Sequence, residues 1–385
     1  MKSLKSILMN GWYGHANAGD DAILEVFIRQ TRKQFGSSIT VLSDLPENIV
    51  LMDKMLNVSS QEHPVRYISH SRKITNFITY FRAIKNCDLF VLGGGGLLRD
   101  NTSWKNLFRL LDEIWLCKIF GRKVMLFAIG VGPFKTRLGK SLIGFTVKMC
   151  DLITVRDEHS ATLLKGLGIA AERIHVVSDP AFLLNERKLE DESLITCLSS
   201  TKKIGLFPAL GLTCDGQNLI PAQQLARALD RIHERTKLEF IALPMRVRSN
   251  GLDDIDISNL IKSTMRFPDA LTVYQKQLSP AELKWVTRQT LLNITVRLHA
   301  MIFSLGSRVP VVAINYEPKV KNVLIPFESD QYLVEIDDAF EEQLVIAVDN
   351  CLENLDCYRK NIETKIVIQE VFAKKTFDLM KSSFL

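Results

Sequence analysis

The chain has 385 residues, of which 46% are hydrophobic and 24% charged, with a formal net charge of +6. That length suffices for two ordinary domains, each able to bury a core without disulfides. The mild positive charge fits an anionic substrate or a loose contact with an anionic membrane surface, while no long Lys/Arg block with interleaved aromatics marks a nucleic-acid binder.

Seven cysteines, at positions 87, 117, 150, 197, 214, 351 and 357, form no C-x-x-C pair. An odd set in a chain this large reads as reduced thiols. No His and Cys cluster has metal-ligand spacing and no H-E-x-x-H occurs, so no metal is expected. The apolar run among the first ten residues is too short for a signal peptide, and no run approaches the ~18 residues of a spanning helix. The expectation is a cytoplasmic protein, at most peripheral to the inner face of the membrane.

Ser6–Met9 reads as a first strand, Asn10–Asp21 as a polar turn with glycines, and Ala22–Gln30 as an amphipathic helix. Such a turn lets backbone N–H groups approach a ligand, with the helix dipole behind them. Asn17, Gly19 and Asp20 are therefore binding candidates, although Asn17 or Asp20 could equally cap the helix. Ile39–Ser43 is a second strand, followed by a polar, irregular region and a helix over Ile74–Ile84. Cys87–Leu92 is a buried strand that ends in Gly93, Gly94, Gly95 and Gly96. The spacing is G-x-G-x-x-L and lies well past the first βα turn, so this is not a dinucleotide fingerprint. Four consecutive glycines instead let a substrate or a neighbouring domain approach bare backbone.

Asn106–Phe120 has apolar residues at helical spacing. Lys123–Pro133 is a buried strand ending in glycines. Gly139, Lys140 and Ser141 suggest a P-loop, but Phe134 stands where that motif needs glycine. Leu142–Met149 is a helix, and Asp151–Asp157 is a strand that ends on the charged pair Arg156 and Asp157. Glu158–Gly166 is a helix closed by glycine, and Ile174–Pro180 a further strand. This alternation predicts a doubly wound parallel sheet to about residue 184. The charged stretch Asn185–Ser193 reads as a linker.

The alternation then restarts. Lys203–Phe207 is a strand, Pro221–Thr236 a helix and Leu238–Pro244 a strand. Asp253–Met265 holds a polar loop and a helix, and Leu271–Tyr274 is a strand. Ser279 and Pro280 mark a helix start by capping and by proline in the first turn. The D-x-D triplet Asp254-Ile-Asp256 follows Ser249, Asn250 and Gly251, and reads as a solvated helix N-terminus rather than a metal pair. Leu291–Val296 is an apolar run that gives way to a helix at Arg297 and His299. Val309–Ile314 is a second buried strand, with Tyr316 and Lys319 after its carboxyl end. Helices over Ala339–Leu352 and Ile362–Lys381 finish the chain.

Ligands of open α/β sheets gather at the carboxyl ends of strands. The two loops after residues 296 and 314 offer two cations, an imidazole and a helix N-terminus, which suits a small polyanion. Taken singly, His299 has a plainer role as a hydrogen-bonded structural residue and Arg297 as a surface ion pair. The fold class expected is α/β, with two Rossmann-like doubly wound domains, 1–185 and 186–385, facing across a cleft.

Several segments resemble the polysaccharide pyruvyl transferase family: Gly14–Leu24, Gly93–Leu97, Ile129–Pro133, Thr154–Glu158, Val177–Ala181, Arg297–His299 and Tyr316–Val320. They occur in the family's order over roughly residues 8–325. The resemblance implies a GT-B-like fold. It also implies transfer of pyruvate from phosphoenolpyruvate to two hydroxyls of a sugar in a cell-surface polysaccharide or its precursor. The products are a pyruvyl ketal and phosphate, with phosphoenolpyruvate as co-substrate and no other cofactor. Arg156, His299 and Lys319 match family positions associated with phosphoenolpyruvate binding and catalysis, with Arg297 and Tyr316 beside them. The C-terminal domain is the expected phosphoenolpyruvate side and the N-terminal domain, with its glycine loops, the acceptor side.

The sugar acceptor could be lipid-linked, given the basic charge. Three departures bear on it: Leu206–Leu210 lacks an expected arginine, Arg246 stands where glutamine is common, and Asn293 replaces an apolar-glycine approach. His299 is the natural proton donor once a dianion is bound. The rival readings are a GT-B glycosyltransferase with a nucleotide-sugar donor, and a non-catalytic sugar-binding protein.

Overall fold

The computed structural model describes residues 4–45, 65–69, 74–100, 104–209, 220–247, 252–316 and 319–385. Cys214, Leu210, Ser249, Asn250, Gly251, Glu317 and Pro318, all part of the readings above, lie outside them. The chain forms two compact units. Unit 1 comprises Met1–His15, Asp20–Leu183 and Gln369–Leu385, and unit 2 comprises Ala16–Gly19 and Leu184–Ile368. These are not two contiguous halves, because a four-residue piece of the first turn belongs to unit 2 and the last 17 residues belong to unit 1.

Unit 1 runs β1 (Ser6–Asn10), α1 (Ala18–Phe35), β2 (Ser38–Ser43), β3 (Val65–Ser69), α2 (Ile74–Asn86) and β4 (Leu89–Gly93). It continues with α3 (Trp104–Ile119), β5 (Lys123–Ile129), α4 (Arg137–Lys148), β6 (Leu152–Val155), α5 (Glu158–Gly166) and β7 (Ile174–Val176). Its seven strands lie in the order β3-β2-β1-β4-β5-β6-β7, with every pairing parallel. The order reverses between β1 and β4, the place where such sheets open a crevice at their carboxyl ends. Continuous apolar runs make the central strands, and Val124–Ile129 of β5 is buried throughout, as a strand covered on both faces requires. On one face Leu107, Leu111 and Ile114 of α3 and Ile143 and Val147 of α4 share a core with Phe90, Leu92 and Leu126. On the other, Phe27 of α1, Phe127 of β5 and Phe377 pack as edge-on or tilted rings.

Unit 2 runs α6 (Glu192–Ser200), β8 (Lys203–Phe207), α7 (Ile220–Thr236), β9 (Glu239–Ala242), α8 (Asp254–Thr264), β10 (Leu271–Val273) and α9 (Pro280–Arg288). Then come β11 (Asn293–Thr295), α10 (Leu298–Gly306), β12 (Val311–Asn315), α11 (Lys319–Leu324), β13 (Leu333–Glu335), α12 (Phe340–Glu353) and α13 (Leu355–Phe384). The six strands are ordered β10-β9-β8-β11-β12-β13, again all parallel, with the reversal between β8 and β11. Helix α13 contributes to both units, passing from one to the other at Ile368 and Gln369.

The capping signals at α9 hold. Ser279 Oγ accepts from the Glu282 amide at 3.3 Å, and the Glu282 carboxylate accepts from the Ser279 amide at 3.0 Å. Three expectations need correction. The irregular region contains the strand β3, which lies at the edge of the sheet. The linker is shorter, because Asp191 caps α6 from within it. Helix α4 starts five residues earlier than read, because Thr136 Oγ1 caps it through the Gly139 amide at 2.9 Å. The six described cysteines are free thiols. Among the described residues no helix is long and apolar enough to cross a membrane.

Candidate active site

In unit 1 the predicted residues converge on the β1/β4 reversal. Gly93 ends β4, and its carbonyl accepts a hydrogen bond from the Tyr13 hydroxyl, which comes from the loop after β1. A Cβ on Gly93 would sit 2.5 Å from the Cβ of Phe127. Gly94 and Gly95 both have φ of +77°, which favours glycine. A Cβ on Gly94 would press on Ile23 at 2.8 Å, and one on Gly95 on Asp20 Oδ1 at 2.7 Å. These three glycines thus answer internal demands of unit 1, and only Gly96 has open space where a side chain would stand. The expectation for the glycine run is room for a substrate or a neighbouring domain; most of it is room for Phe127, Tyr13, Ile23 and Asp20.

Arg156 follows β6, one strand beyond the loop that carries Gly130. Its side chain is nearly buried, with Nη1 3.3 Å from Asp179 Oδ2 and Nε 3.7 Å from Asp157 Oδ2. Gly130 leaves room for it, since a Cβ there would lie 3.0 Å from Nη2 and 3.1 Å from Nε. The Gly130 amide in turn donates to the Gly95 carbonyl at 2.9 Å, so the arginine and the glycine loop are one backbone contact apart. Asp179, after β7, orients the guanidinium and was not singled out in the sequence. The signal available was its place at a strand end, before Pro180, in the same register of strand ends as Arg156.

Asp20 and Asp21 open α1 in this region. The Gly14 amide donates to Asp21 Oδ1 at 3.0 Å. Burial, opposed by that hydrogen bond and reinforced by the neighbouring Asp20 charge, pushes the Asp21 carboxyl up to about 7. Tyr13 is pushed well above its ordinary value, first by burial and then by Asp20, Asp21 and Asp179. It is a neutral donor at this site.

In unit 2 the residues gather at the β8/β11 reversal. The Thr295 hydroxyl accepts from the Arg297 amide at 2.9 Å and turns the chain out of β11. Arg297 is the residue before α10, and His299 is second in the helix. Arg297 does not face solvent as a surface pair. Its guanidinium binds Asp254, which is fully buried at the start of α8. Asp254 also accepts from the Met245 and Arg246 amides at 3.0 and 2.9 Å. Burial raises the Asp254 carboxyl from its usual range, opposed by Arg297 and these amides. The D-x-D triplet is therefore no metal pair, and the expectation of a solvated terminus is corrected for Asp254. Asp253 caps α8, and Asp256 closes the capping box by accepting from the Asp253 amide at 2.9 Å.

The segment Ala16–Gly19 completes this arrangement within unit 2. Asn17 forms an antiparallel bridge with Arg246, and the Ala18 amide donates to the Met245 carbonyl at 2.9 Å. Gly19 lies against the imidazole of His299, where a Cβ would run into the ring. A closed circuit results: His299 against Gly19, Asn17 beside Arg246, the Arg246 amide on Asp254, and Asp254 on Arg297, two residues before His299. The buried ion pair and the turn segment together fix the start of α10. Tyr316 and Lys319 follow β12, with Lys319 Nζ 5.7 Å from the Tyr316 ring centroid. Within unit 1 the fold brings together Asp20, Gly93, Gly94, Gly95 and Arg156; within unit 2, Asn17, Gly19, Arg297 and His299. Among the described residues no three His, Cys, Asp or Glu side chains converge as a metal set.

Solved structures share this fold at low identity. A Listeria monocytogenes protein assigned as a UDP-N-acetylglucosamine 2-epimerase matches with a TM-score of 0.68 and 14% identity, covering 98% of this chain and 96% of that one. The UDP-GlcNAc 2-epimerase of Neisseria meningitidis, solved with UDP-GlcNAc bound, matches with a TM-score of 0.63 and 11% identity, covering 98% and 100%. These likenesses establish a GT-B-like α/β fold. In sequence, the amylovoran biosynthesis protein AmsJ of Erwinia amylovora is 21% identical over 98% of this chain and 99% of its own. The family pattern described as polysaccharide pyruvyl transferase matches residues 17–318, from the turn segment that meets His299 to the position before Lys319. The chain belongs to the polysaccharide pyruvyl transferase family, and it is a transferase.

Proposed function

We propose that the enzyme transfers pyruvate from phosphoenolpyruvate to two hydroxyls of one sugar in a polysaccharide or its precursor, forming a cyclic ketal. The observation that carries this reading is the circuit that fixes His299 at the start of α10, at the β8/β11 reversal, inside the stretch matched by the family pattern. A helix start at a strand's carboxyl end suits an anion, and an imidazole there can move a proton to or from it.

The reaction balances without an external reagent. A proton adds to C3 of phosphoenolpyruvate, so its CH2 becomes CH3, and C2 becomes cation-like. One sugar hydroxyl adds to C2 and the C2–O bond to phosphate breaks. The second hydroxyl then closes the ketal. Of the two hydroxyl protons, one ends on the methyl group and one on the released phosphate. His299 is the carrier between oxygen and C3. Lys319 supplies a point charge and Arg156 a fork for carboxylate or phosphate. A lipid-carried acceptor, made on the inner face of the membrane, agrees with the family role in polysaccharide synthesis.

The likeness to proteins that handle UDP-GlcNAc favours one second reading, in which the donor is a nucleotide sugar. Calorimetry separates the two. Phosphoenolpyruvate should bind wild type in the micromolar-to-millimolar range and bind Lys319→Ala and Arg156→Lys more weakly. Binding of UDP-sugars without any of phosphoenolpyruvate would replace this reading by the second.

A further inference from the structure

We propose that the paired helices α3 and α4 of unit 1 form a docking surface for an anionic lipid bilayer. Trp104 and Phe108 lie one turn apart on α3, with ring centroids 5.9 Å apart, and are 37% and 42% exposed. Leu138 and Phe145 lie two turns apart on α4 and are 59% and 61% exposed. Large apolar side chains gathered in this way on one face of a folded unit mark an interaction surface, whereas scattered ones do not.

The two stripes belong to one face. Trp115, on the same side of α3 as Trp104 and Phe108 by helical spacing, donates through Nε1 to Thr146 Oγ1 of α4 at 2.9 Å. The starts of the two helices are also tied together. Asp100, four residues before α3, accepts from the amides of Lys135 and Thr136 and from the Thr136 hydroxyl, which caps α4. Leu98 and Val131 form a further backbone bridge. Trp104, Phe108 and Leu138 therefore sit at the end of unit 1 that carries the Gly93–Gly96 loop.

Charge decides the partner. Helix α4 carries Arg137, Lys140 and Lys148 and no acidic residue, and Lys135 precedes it. All four are exposed, and none forms an ion pair with a described residue. By contrast Lys118, in the last turn of α3, and Lys123, at the start of β5, are held by Asp151. Exposed cations with no ion-pair partner among the described residues, around exposed Trp, Phe and Leu, fit a surface of anionic headgroups over acyl chains, where each Lys or Arg strengthens attachment and aromatic rings settle at the headgroup level. The site stands on the surface of unit 1 alone and does not depend on the donor chemistry.

The test is sedimentation with vesicles of phosphatidylcholine alone and of phosphatidylcholine mixed with phosphatidylglycerol. Wild type should bind the mixed vesicles and release at high salt. The triple variant Lys135→Glu/Arg137→Glu/Lys140→Glu should need at least about tenfold more lipid for half binding. Leu138→Ser/Phe145→Ser, whose side chains are exposed and leave the core intact, should bind the mixed vesicles more weakly than wild type at low salt. Failure of wild type to bind the mixed vesicles, or equal binding by both variants, overturns the proposal. So does a wild-type dimer that Leu138→Ser/Phe145→Ser converts to monomer, because the face would then belong to a second copy. Phosphoenolpyruvate binding, measured on the same variants, should not change.

Discussion

Gly19 and His299 occupy adjoining space, so that a Cβ on Gly19 would lie 2.7 Å from the Cβ of His299 and closer still to its ring. The two residues are 280 positions apart and meet within unit 2. Gly19→Ala should therefore act through His299. Overpacking of this kind costs about 1–3 kcal/mol where the neighbour cannot move. Turning the imidazole does not relieve the approach of the two Cβ atoms, so Gly19→Ala should cost stability of about that size and also lower turnover, by roughly 100-fold or more, as expected when an acid–base group is displaced. His299→Ala should abolish turnover while keeping phosphoenolpyruvate binding. Adding Gly19→Ala to it should cost less stability than in wild type, because the contacts with the ring are gone and only the one with the Cβ of residue 299 remains. Equal destabilisation by Gly19→Ala in both backgrounds would show that the glycine serves something other than the imidazole.

The Arg297–Asp254 pair makes a second prediction. Asp254 has no solvent exposure, and Arg297 is its cation. Removing one partner of a buried pair leaves an uncompensated charge and costs about 3–5 kcal/mol. Arg297→Met should lower the unfolding free energy by about that much, and the double variant Arg297→Met/Asp254→Asn by clearly less. Denaturant titrations of the three variants measure the coupling. If Arg297→Met is as stable as wild type but loses donor affinity, the arginine is a ligand group and the structural assignment is wrong.

Much of this was legible in the sequence because it depends on local pattern. Continuous apolar strands alternating with amphipathic helices gave the two sheets, and Ser279-Pro280 gave a helix start, since both signals lie within a few residues. The features that escaped depend on contacts across long separations. Nothing near Asp254 announces Arg297, and nothing near Gly19 announces His299. The Gly93–Gly96 run suggests room for a substrate or a neighbouring domain, yet three of its members are required by Phe127, Tyr13 with Ile23, and Asp20. The strand β3 escaped because one short edge strand within a polar stretch carries little periodic signal. The last helix escaped as a shared element because its pattern is continuous through Ile368 and Gln369, where its membership changes.

Arg156 and Gly130 support a third prediction. The guanidinium lies over the glycine, 3.0–3.2 Å from where a Cβ would stand, and is held by Asp179. Gly130→Ala should shift the guanidinium by a few tenths of an ångström and weaken phosphoenolpyruvate binding by a few-fold, with little change in melting temperature. Arg156→Ala is a harsher change, because it leaves Asp179 buried beside no guanidinium, and a stability loss of about 3–5 kcal/mol is expected. Arg156→Lys keeps a charge but loses the fork, so it should lower affinity more than stability. Calorimetry and melting curves on the three variants test this. A Gly130→Ala protein with unchanged affinity would mean that the position of the guanidinium does not matter for the donor.

Asp21 sets a pH dependence. Its carboxyl is raised to about 7 by burial, partly offset by the Gly14 amide and reinforced by Asp20. In the unfolded chain an aspartate titrates near its ordinary value of 3.8. Between these values the folded protein holds a proton that the unfolded chain has lost. The stability from this group is therefore full below the unfolded value and is lost as pH rises through the folded one, at no more than about 1.4 kcal/mol per pH unit. Asp21→Asn keeps an acceptor for the Gly14 amide and carries no charge at any pH. The difference in unfolding free energy between wild type and Asp21→Asn should thus shift in favour of the variant on going from about pH 5 to about pH 8. Denaturant curves at both pH values give it directly, and a difference that stays constant would place the Asp21 proton elsewhere, with Asp20 the next carboxylate to examine.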